Sequence, residues 1–92
     1  MNLSIHVREE HIDRGERIYN WYLNPIALAM REVGFYHPFV HWGRGVICWD
    51  SGDTSYATSM PPHVKEWLQS FDNYKEVKPF SFELEVYERR VA

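Results

Sequence analysis

The sequence predicts a single α+β domain over residues 1–92, with its elements in the order β-α-β-β-β-α-β. Three features of the chain support this prediction. Short segments alternate apolar and polar residues, as half-buried strands do. Two longer segments follow a proline and repeat apolar residues at helical spacing. Glycine-containing turns separate the segments in the middle of the chain.

The first predicted strand places Leu3, Ile5 and Val7 on one face. Strict alternation of this kind is typical of a strand that buries one side. Residues 9–14 are expected to form a turn or two of helix, which Gly15 closes as glycine commonly does after a helix. Residues 16–23 suit either a helix or a loop, so their structure stays open.

Two main helices are predicted from their starts and their apolar stripes. The first begins with Asn24 as N-cap and Pro25 at the first helical position, and Gly34 ends it. The second follows the proline pair at 61–62 and stops at 72–73. Apolar residues recur at i, i+3, i+4 and i+7 in both, so each helix has one stripe to bury. The stripes are Ile26, Ala29, Met30 and Val33 in the first helix and Val64, Trp67, Leu68 and Phe71 in the second.

The middle of the chain predicts a three-stranded meander. Residues 39–42 and 46–49 are expected to form a hairpin around the turn at 43–45, and residues 54–59 a third strand after a second turn. Residues 80–87 alternate most regularly and predict a last strand with one wet face. We therefore expect a mostly antiparallel sheet of about four or five strands with the two main helices on one face.

Composition and charge limit the kinds of partner. The net charge is −3, and the basic residues are scattered apart from Arg89 and Arg90, which disfavours binding to duplex nucleic acid. Cys48 is the only cysteine, so no intrachain disulfide is possible. The first residues lack the apolar run of a signal peptide, and no segment approaches the ~18 apolar residues of a membrane span. We expect a cytoplasmic protein without a membrane partner.

The patterns of common active sites are missing from the sequence, and we expect a protein without enzymatic activity, cofactor or metal. His37 and His41 are four residues apart, but Pro38 disfavours a helix there. On a strand, the same spacing separates two residues by about 13 Å, which is too far for one ion. Cys48 lies in mid-strand, where a lone thiol is usually a small buried hydrophobe. The neighbouring carboxylates at 9–10 and at 83 and 85 are expected to be solvated.

The aromatic central hairpin is the candidate binding site. Its Gly-Arg-Gly turn is first of all a hairpin turn, although the backbone amides and the Arg44 guanidinium could also hold an anion. Aromatic rings near such a turn would suit a nucleotide or an unpaired base. Trp42 and Trp49 share one face of the hairpin, and the alternation leaves open whether that face is core or binding surface. The candidate residues are His41, Trp42, Arg44, Trp49 and Tyr56.

Three motifs together span most of the chain. They are V-x-x-x-H-I-x-x-G at 7–15, P-I-A-L-A-x-x-x-x-G at 25–34, and P-P-x-V-x-x-W-x-x-x-F-D followed by V-x-P-F-x-F-E-L between 61 and 84. The set resembles a family of small uncharacterised proteins carried by bacteriophages and mobile elements. The resemblance implies a fold and a viral or mobile-element setting, with no activity attached. Where that family has a cysteine before the proline, this chain has Asn24, for which helix capping is the explanation.

Three functional hypotheses stay open, and the setting implied by the resemblance supports the first of them. The first is a non-enzymatic binding protein that inhibits a host protein or defence system by stoichiometric binding through an aromatic surface, as a homo-oligomer. The second is a protein that sequesters a nucleotide signal through Trp42, Arg44, Trp49 and Tyr56. The third is a small enzyme of unknown type.

Overall fold

Three helices and five antiparallel strands pack around one core in the computed structural model, which describes residues 2–17 and 20–85. The α+β class is confirmed, and so is the order of the elements once the short first helix is included. The longest helix has 11 residues, and within the described ranges no helix is long and apolar enough to cross a membrane. The elements are β1 (Asn2–Val7), α1 (Glu9–Arg14), α2 (Pro25–Glu32), β2 (Tyr36–His41), β3 (Val46–Ser51), β4 (Thr54–Ser59), α3 (Pro62–Asp72) and β5 (Phe80–Glu85).

The strands form two sheets, where a single sheet was expected. β1 pairs with β5, and β2, β3 and β4 pair in that order. The apolar faces of both sheets line the same core, so burying them requires no hydrogen bonding between the sheets. Residues 86 and 87 of the predicted last strand lie outside the described residues.

The core unites both sheets with the two main helices. Two expectations at the ends of elements are wrong: Leu3, near the start of β1, is 40% exposed, and Val33, which follows α2, is 59% exposed. Within the core, the largest fully buried side chains include Ile5, Ile26, Met30, Ile47, Leu68, Phe71 and Leu84.

Asn24 caps α2 as predicted and also ties the helix to β2. Its side-chain oxygen accepts a hydrogen bond from the Ala27 N–H at 2.9 Å, and its amide nitrogen donates to the Val40 carbonyl at 3.1 Å. The residue is fully buried, so both bonds are made away from water. At the other end of the helix, Gly34 has a φ of 102°, which agrees with its predicted role in ending the helix.

Gly15 follows α1 as predicted, but the reason for glycine is steric. Its N–H donates to the His11 carbonyl, and its φ of −64° lies in a region open to any residue. A Cβ at this position would lie 2.5 Å from two ring carbons of Pro25 and 2.9 Å from its backbone nitrogen. Glycine is therefore required because the chain after α1 passes directly against the start of α2.

Candidate interaction surface

The pairing of β2 with β3 decides which face of the central hairpin meets the core. Val40 lies opposite Ile47, and both side chains are fully buried. Trp49 lies two residues after Ile47 on the same face and is only 6% exposed. The face that carries the tryptophans therefore belongs to the core.

Trp42 joins the hairpin turn to the last residue of α3. Its indole N–H donates a hydrogen bond of 2.7 Å to the Asp72 carboxylate, which is buried. The Trp42 ring also packs against the core. Both contacts give Trp42 a structural role.

Trp49 and Tyr56 pack on each other across β3 and β4. Their ring centroids are 5.7 Å apart with nearly parallel planes, and Phe35 meets Trp49 edge to face at 5.2 Å. Because Trp49 is buried in this group, its faces are occupied by neighbouring side chains. It does not offer a free plane on which a base could stack.

The opposite face of the hairpin carries an aromatic group that reaches solvent. Trp21 stacks on His41 with centroids 3.8 Å apart, and Tyr22 meets Phe39 edge to face at 5.2 Å. Phe39 and His41 are in turn 5.8 Å apart. We call these four residues the outer aromatic cluster. Tyr22 is the most open of them, with 52% of its surface exposed.

Hydrogen bonds from backbone N–H groups hold the cluster in place. The Asn20 side chain accepts from the N–H groups of Tyr22 and Leu23, which folds residues 20–23 into a tight turn. The Trp21 carbonyl then accepts from the Val40 N–H at 2.9 Å, so this turn lies along the edge of β2. Residues that are distant in sequence thereby present their rings side by side.

The site chemistry at His41 favours the neutral imidazole. The ring's Nδ1 accepts a hydrogen bond from the Arg44 N–H at 3.1 Å, which requires an unprotonated nitrogen. Burial lowers the pKa of His41 below its ordinary value, and the nearby Arg44 charge lowers it further. Gly43 leaves room for the ring, since a Cβ there would approach His41 to 2.8 Å.

The structure divides the sequence-predicted residues among three places. His41 and Arg44 meet on the outer side of the turn, where Arg44 is exposed. Trp49 and Tyr56 meet on the core side, and Trp42 contacts α3. Trp21, Tyr22 and Phe39 complete the outer face, although the sequence alone does not single them out as site residues. The alternation of β2 places Phe39 and His41 together, but no sequence signal places the turn at 20–23 beside them.

Cys48 lies on the same outer face of β3 and is half-buried. Burial raises the pKa of its thiol, and the Asp50 carboxylate on the same strand raises it further. The thiol therefore stays protonated near neutral pH. A protonated thiol is a poor nucleophile, so the local electrostatics do not activate Cys48.

A second polar cluster, which the sequence did not reveal, lies between α1 and α2. Nitrogen and oxygen atoms of Glu10, His11 and Glu32 lie within 4.8 Å of one another. His11 is 4% exposed, and its Nδ1 accepts from the Arg8 N–H at 2.9 Å, which leaves Nε2 to donate to Glu32 at 2.5 Å. The Arg8 guanidinium binds both carboxylates. The hydrogen bond from His11, and then that from Arg8, lower the pKa of Glu32.

This arrangement acts as a helix cap and an inter-helix link. Both ring nitrogens of His11 are engaged, and Arg8 supplies the positive charge that the two carboxylates need. A cation at this site would compete with the Arg8 guanidinium for the two carboxylates and with Glu32 for the His11 ring. The geometry therefore favours a structural role for this cluster over metal binding.

Comparison of the chain with family models, with curated protein sequences and with solved structures finds no significant match.

Proposed function

We propose that this protein is a non-catalytic binding protein that contacts a protein partner through the outer aromatic cluster. The observation that carries this proposal is the placement of Trp21, Tyr22, Phe39 and His41 together on the side of the three-stranded sheet away from the core. Aromatic residues are enriched at the centres of protein interfaces, where they supply most of the binding free energy.

The rings of the outer aromatic cluster pack on one another, so the cluster presents a relatively rigid binding surface. Trp21 is held against His41, and Tyr22 against Phe39, by contacts within the chain. Side chains that are already ordered lose less conformational entropy when a partner binds. The cluster has neutral rings, with His41 favoured in its uncharged form, so its chemistry suits an uncharged, apolar patch on the partner.

The charge distribution favours a protein partner over nucleic acid. The whole chain has a net charge of −3. Arg44, in the hairpin turn, is a charged residue that lies next to His41 of the cluster. Binding to nucleic acid depends largely on many cationic contacts with phosphate groups. The absence of an activated thiol at Cys48 and the engagement of both His11 nitrogens support the non-catalytic part of the proposal.

The setting of this function rests on the motifs of the sequence. In a bacteriophage or mobile element, a small binding protein of this kind would inhibit a host protein or defence system by stoichiometric binding. The outer aromatic cluster supports the binding step, and the resemblance supports the setting.

A pull-down from a host lysate with matched variants tests the proposal. Tyr22→Ala removes the most exposed ring of the cluster, whereas Tyr74→Ala removes a ring that is 65% exposed beyond the end of α3. We expect the wild type and Tyr74→Ala to capture the same partner. Tyr22→Ala should weaken its binding by roughly tenfold or more, as expected for an interface hot spot.

Equal capture by both variants would contradict the role of the cluster. A panel of nucleotides in a thermal-shift assay provides the second measurement, because a bound ligand raises the melting temperature by mass action. A nucleotide-dependent rise that Arg44→Ala removes would favour the nucleotide-sequestering function instead. We expect no such rise, since Trp49 is enclosed by its neighbours.

A further inference from the structure

β4 lies at an edge of the three-stranded sheet. It pairs with β3 along its whole length from Thr54 to Ser59, and within residues 2–17 and 20–85 no strand pairs with its other side. The opposite edge of this sheet is different, because the turn at 20–23 and the Asn24 side chain bond to β2 at Val40. An unpaired edge presents a row of backbone donors and acceptors that a further strand can bind.

The hydrogen-bond pattern shows which residues of β4 face this free edge. The loop between β3 and β4 is Gly52-Asp53, with a φ of 59° at Gly52, as in a two-residue hairpin. Beyond the other end of the strand, the Met60 N–H donates to the Gly45 carbonyl at 2.8 Å. Antiparallel pairs alternate between bonded and non-bonded, so the even-numbered residues from 54 to 60 bond towards β3. The backbone groups of Ser55, Ala57 and Ser59 therefore point to the free edge.

The free edge lacks the features that commonly prevent strand pairing. The sequence of β4 is Thr-Ser-Tyr-Ala-Thr-Ser, which contains no charged residue and no proline. Its register with β3 is continuous from Ser51–Thr54 to Val46–Ser59, so no bulge twists the edge away. The side chains of the three edge-facing residues are small, and they do not obstruct an approaching backbone.

We propose that β4 is the contact through which two copies of this chain pair about a two-fold axis at Ala57. Antiparallel pairing about this residue places Ala57 opposite its symmetry mate and Ser55 opposite Ser59 of the second copy. The three edge-facing residues then form about six backbone hydrogen bonds between the copies. Tyr56 and Thr58 become direct neighbours across the contact, on the side of the sheet that meets the core.

Self-pairing is favoured because the strand is complementary to itself. A two-fold axis perpendicular to a sheet places residues of the same face opposite each other. Residues 55, 57 and 59 lie on one face, and an axis at Ala57 pairs 55 with 59 and 57 with its own copy. No like charges come together, since the strand carries none. The two cores lie on one side of the joined sheet, and the two outer aromatic clusters lie on the other.

Analytical ultracentrifugation of the wild type and of three Ala57 variants tests this contact. We expect the wild type to reach twice its 11.0 kDa chain mass as concentration rises. Ala57→Pro removes an N–H that faces the free edge, so the pairing of β3 with β4 is kept. Ala57→Lys places two like charges at the axis, and each of these substitutions should raise the dimer Kd roughly tenfold or more. Ala57→Val retains the N–H and should dimerise like the wild type.

A disulfide provides an independent measurement of the register. Cys48 lies directly opposite Ala57 within one chain, so it is first replaced with serine. In the Cys48→Ser, Ala57→Cys protein, the two new thiols meet across the axis at a Cα separation of about 5.5 Å, which permits a disulfide. We expect mild oxidation to give a covalent dimer that retains its circular dichroism spectrum.

Several results would overturn the proposal. One is a wild type that stays monomeric together with a double variant that forms no covalent dimer. Another is a dimer that has the same Kd in the wild type and in Ala57→Lys. This comparison can still be made if Ala57→Pro fails to fold. A third is a dimer that dissociates in the Tyr22→Ala variant but persists in Ala57→Lys. That result would place the contact on the outer aromatic cluster.

Discussion

Replacing Gly15 with alanine is expected to destabilise the protein, because the added methyl group would enter space that Pro25 occupies. The backbone at Gly15 has φ −64° and ψ 138°, a conformation that alanine adopts without strain. On conformational grounds alone, the substitution would stabilise the fold by about 0.4–1 kcal/mol, since it restricts the unfolded chain. Steric and conformational effects therefore predict opposite signs.

The distances at Gly15 indicate that the steric effect is larger. The new Cβ would lie 2.5 Å from Cγ and Cδ of Pro25 and 2.9 Å from its backbone nitrogen. A proline ring and a backbone atom at the start of α2 cannot rotate away as the end of a long side chain can. Overpacking of this kind costs about 1–3 kcal/mol. After the conformational gain is subtracted, we expect a net loss of about 1–2 kcal/mol, or on the order of 5–15 °C in Tm for a domain of this size.

Urea and thermal unfolding, followed by circular dichroism, measure this loss. The control is the double variant Gly15→Ala, Pro25→Ala, in which the ring carbons are absent. We expect the loss caused by Gly15→Ala to be smaller in the Pro25→Ala background, with a coupling of about 1 kcal/mol between the two sites. A Gly15→Ala protein with an unchanged or higher Tm would refute the steric explanation.

Two further predictions concern buried and titrating groups. Asn24→Ala should cost about 2–4 kcal/mol in urea unfolding, because it removes a helix cap and leaves the Val40 carbonyl without a buried donor. Asn24→Ser retains a capping oxygen and should cost about 1 kcal/mol less than Asn24→Ala. Equal losses in the two variants would show that the cap does not contribute separately from the bond to the Val40 carbonyl. The pKa of His41 in the folded state lies below its ordinary value of 6.5, so the folded state binds fewer protons than the unfolded state. The contribution of His41 to the free energy of unfolding is therefore fully present above pH 6.5. It is lost as the pH falls through the folded pKa. His41→Phe keeps a ring on Trp21 and should flatten this part of the stability curve; an identical pH dependence in both proteins would show that His41 does not contribute.

The helix starts and the strand alternation are local properties, and they were predicted correctly except at Leu3, which is exposed. Asn24 caps α2 because a short polar side chain reaches a free N–H of the first turn, which depends only on residues close in sequence. Gly15 shows the limit of local reasoning. Its position after α1 was predicted, but the contact with Pro25 that requires glycine joins two segments whose relative placement is a tertiary property.

The candidate site shows the same limit on a larger scale. The alternation placed Trp42 and Trp49 on one face of the hairpin and His41 on the other, and both assignments are present in the structure. It did not say which face is wet. That depended on Val40 and Ile47 meeting the helices and the second sheet.

By itself, the sequence determined the α+β class, the order of the elements, the caps and the residues that share each face, because these follow from propensity and periodicity along one segment. Only the tertiary structure decided that the strands divide into two sheets, that the tryptophan face is core, and that the turn at 20–23 brings Trp21 and Tyr22 beside Phe39 and His41. The physical reason is that burial is shared between segments. Which face of a strand loses its water depends on the apolar surfaces that the rest of the chain brings against it.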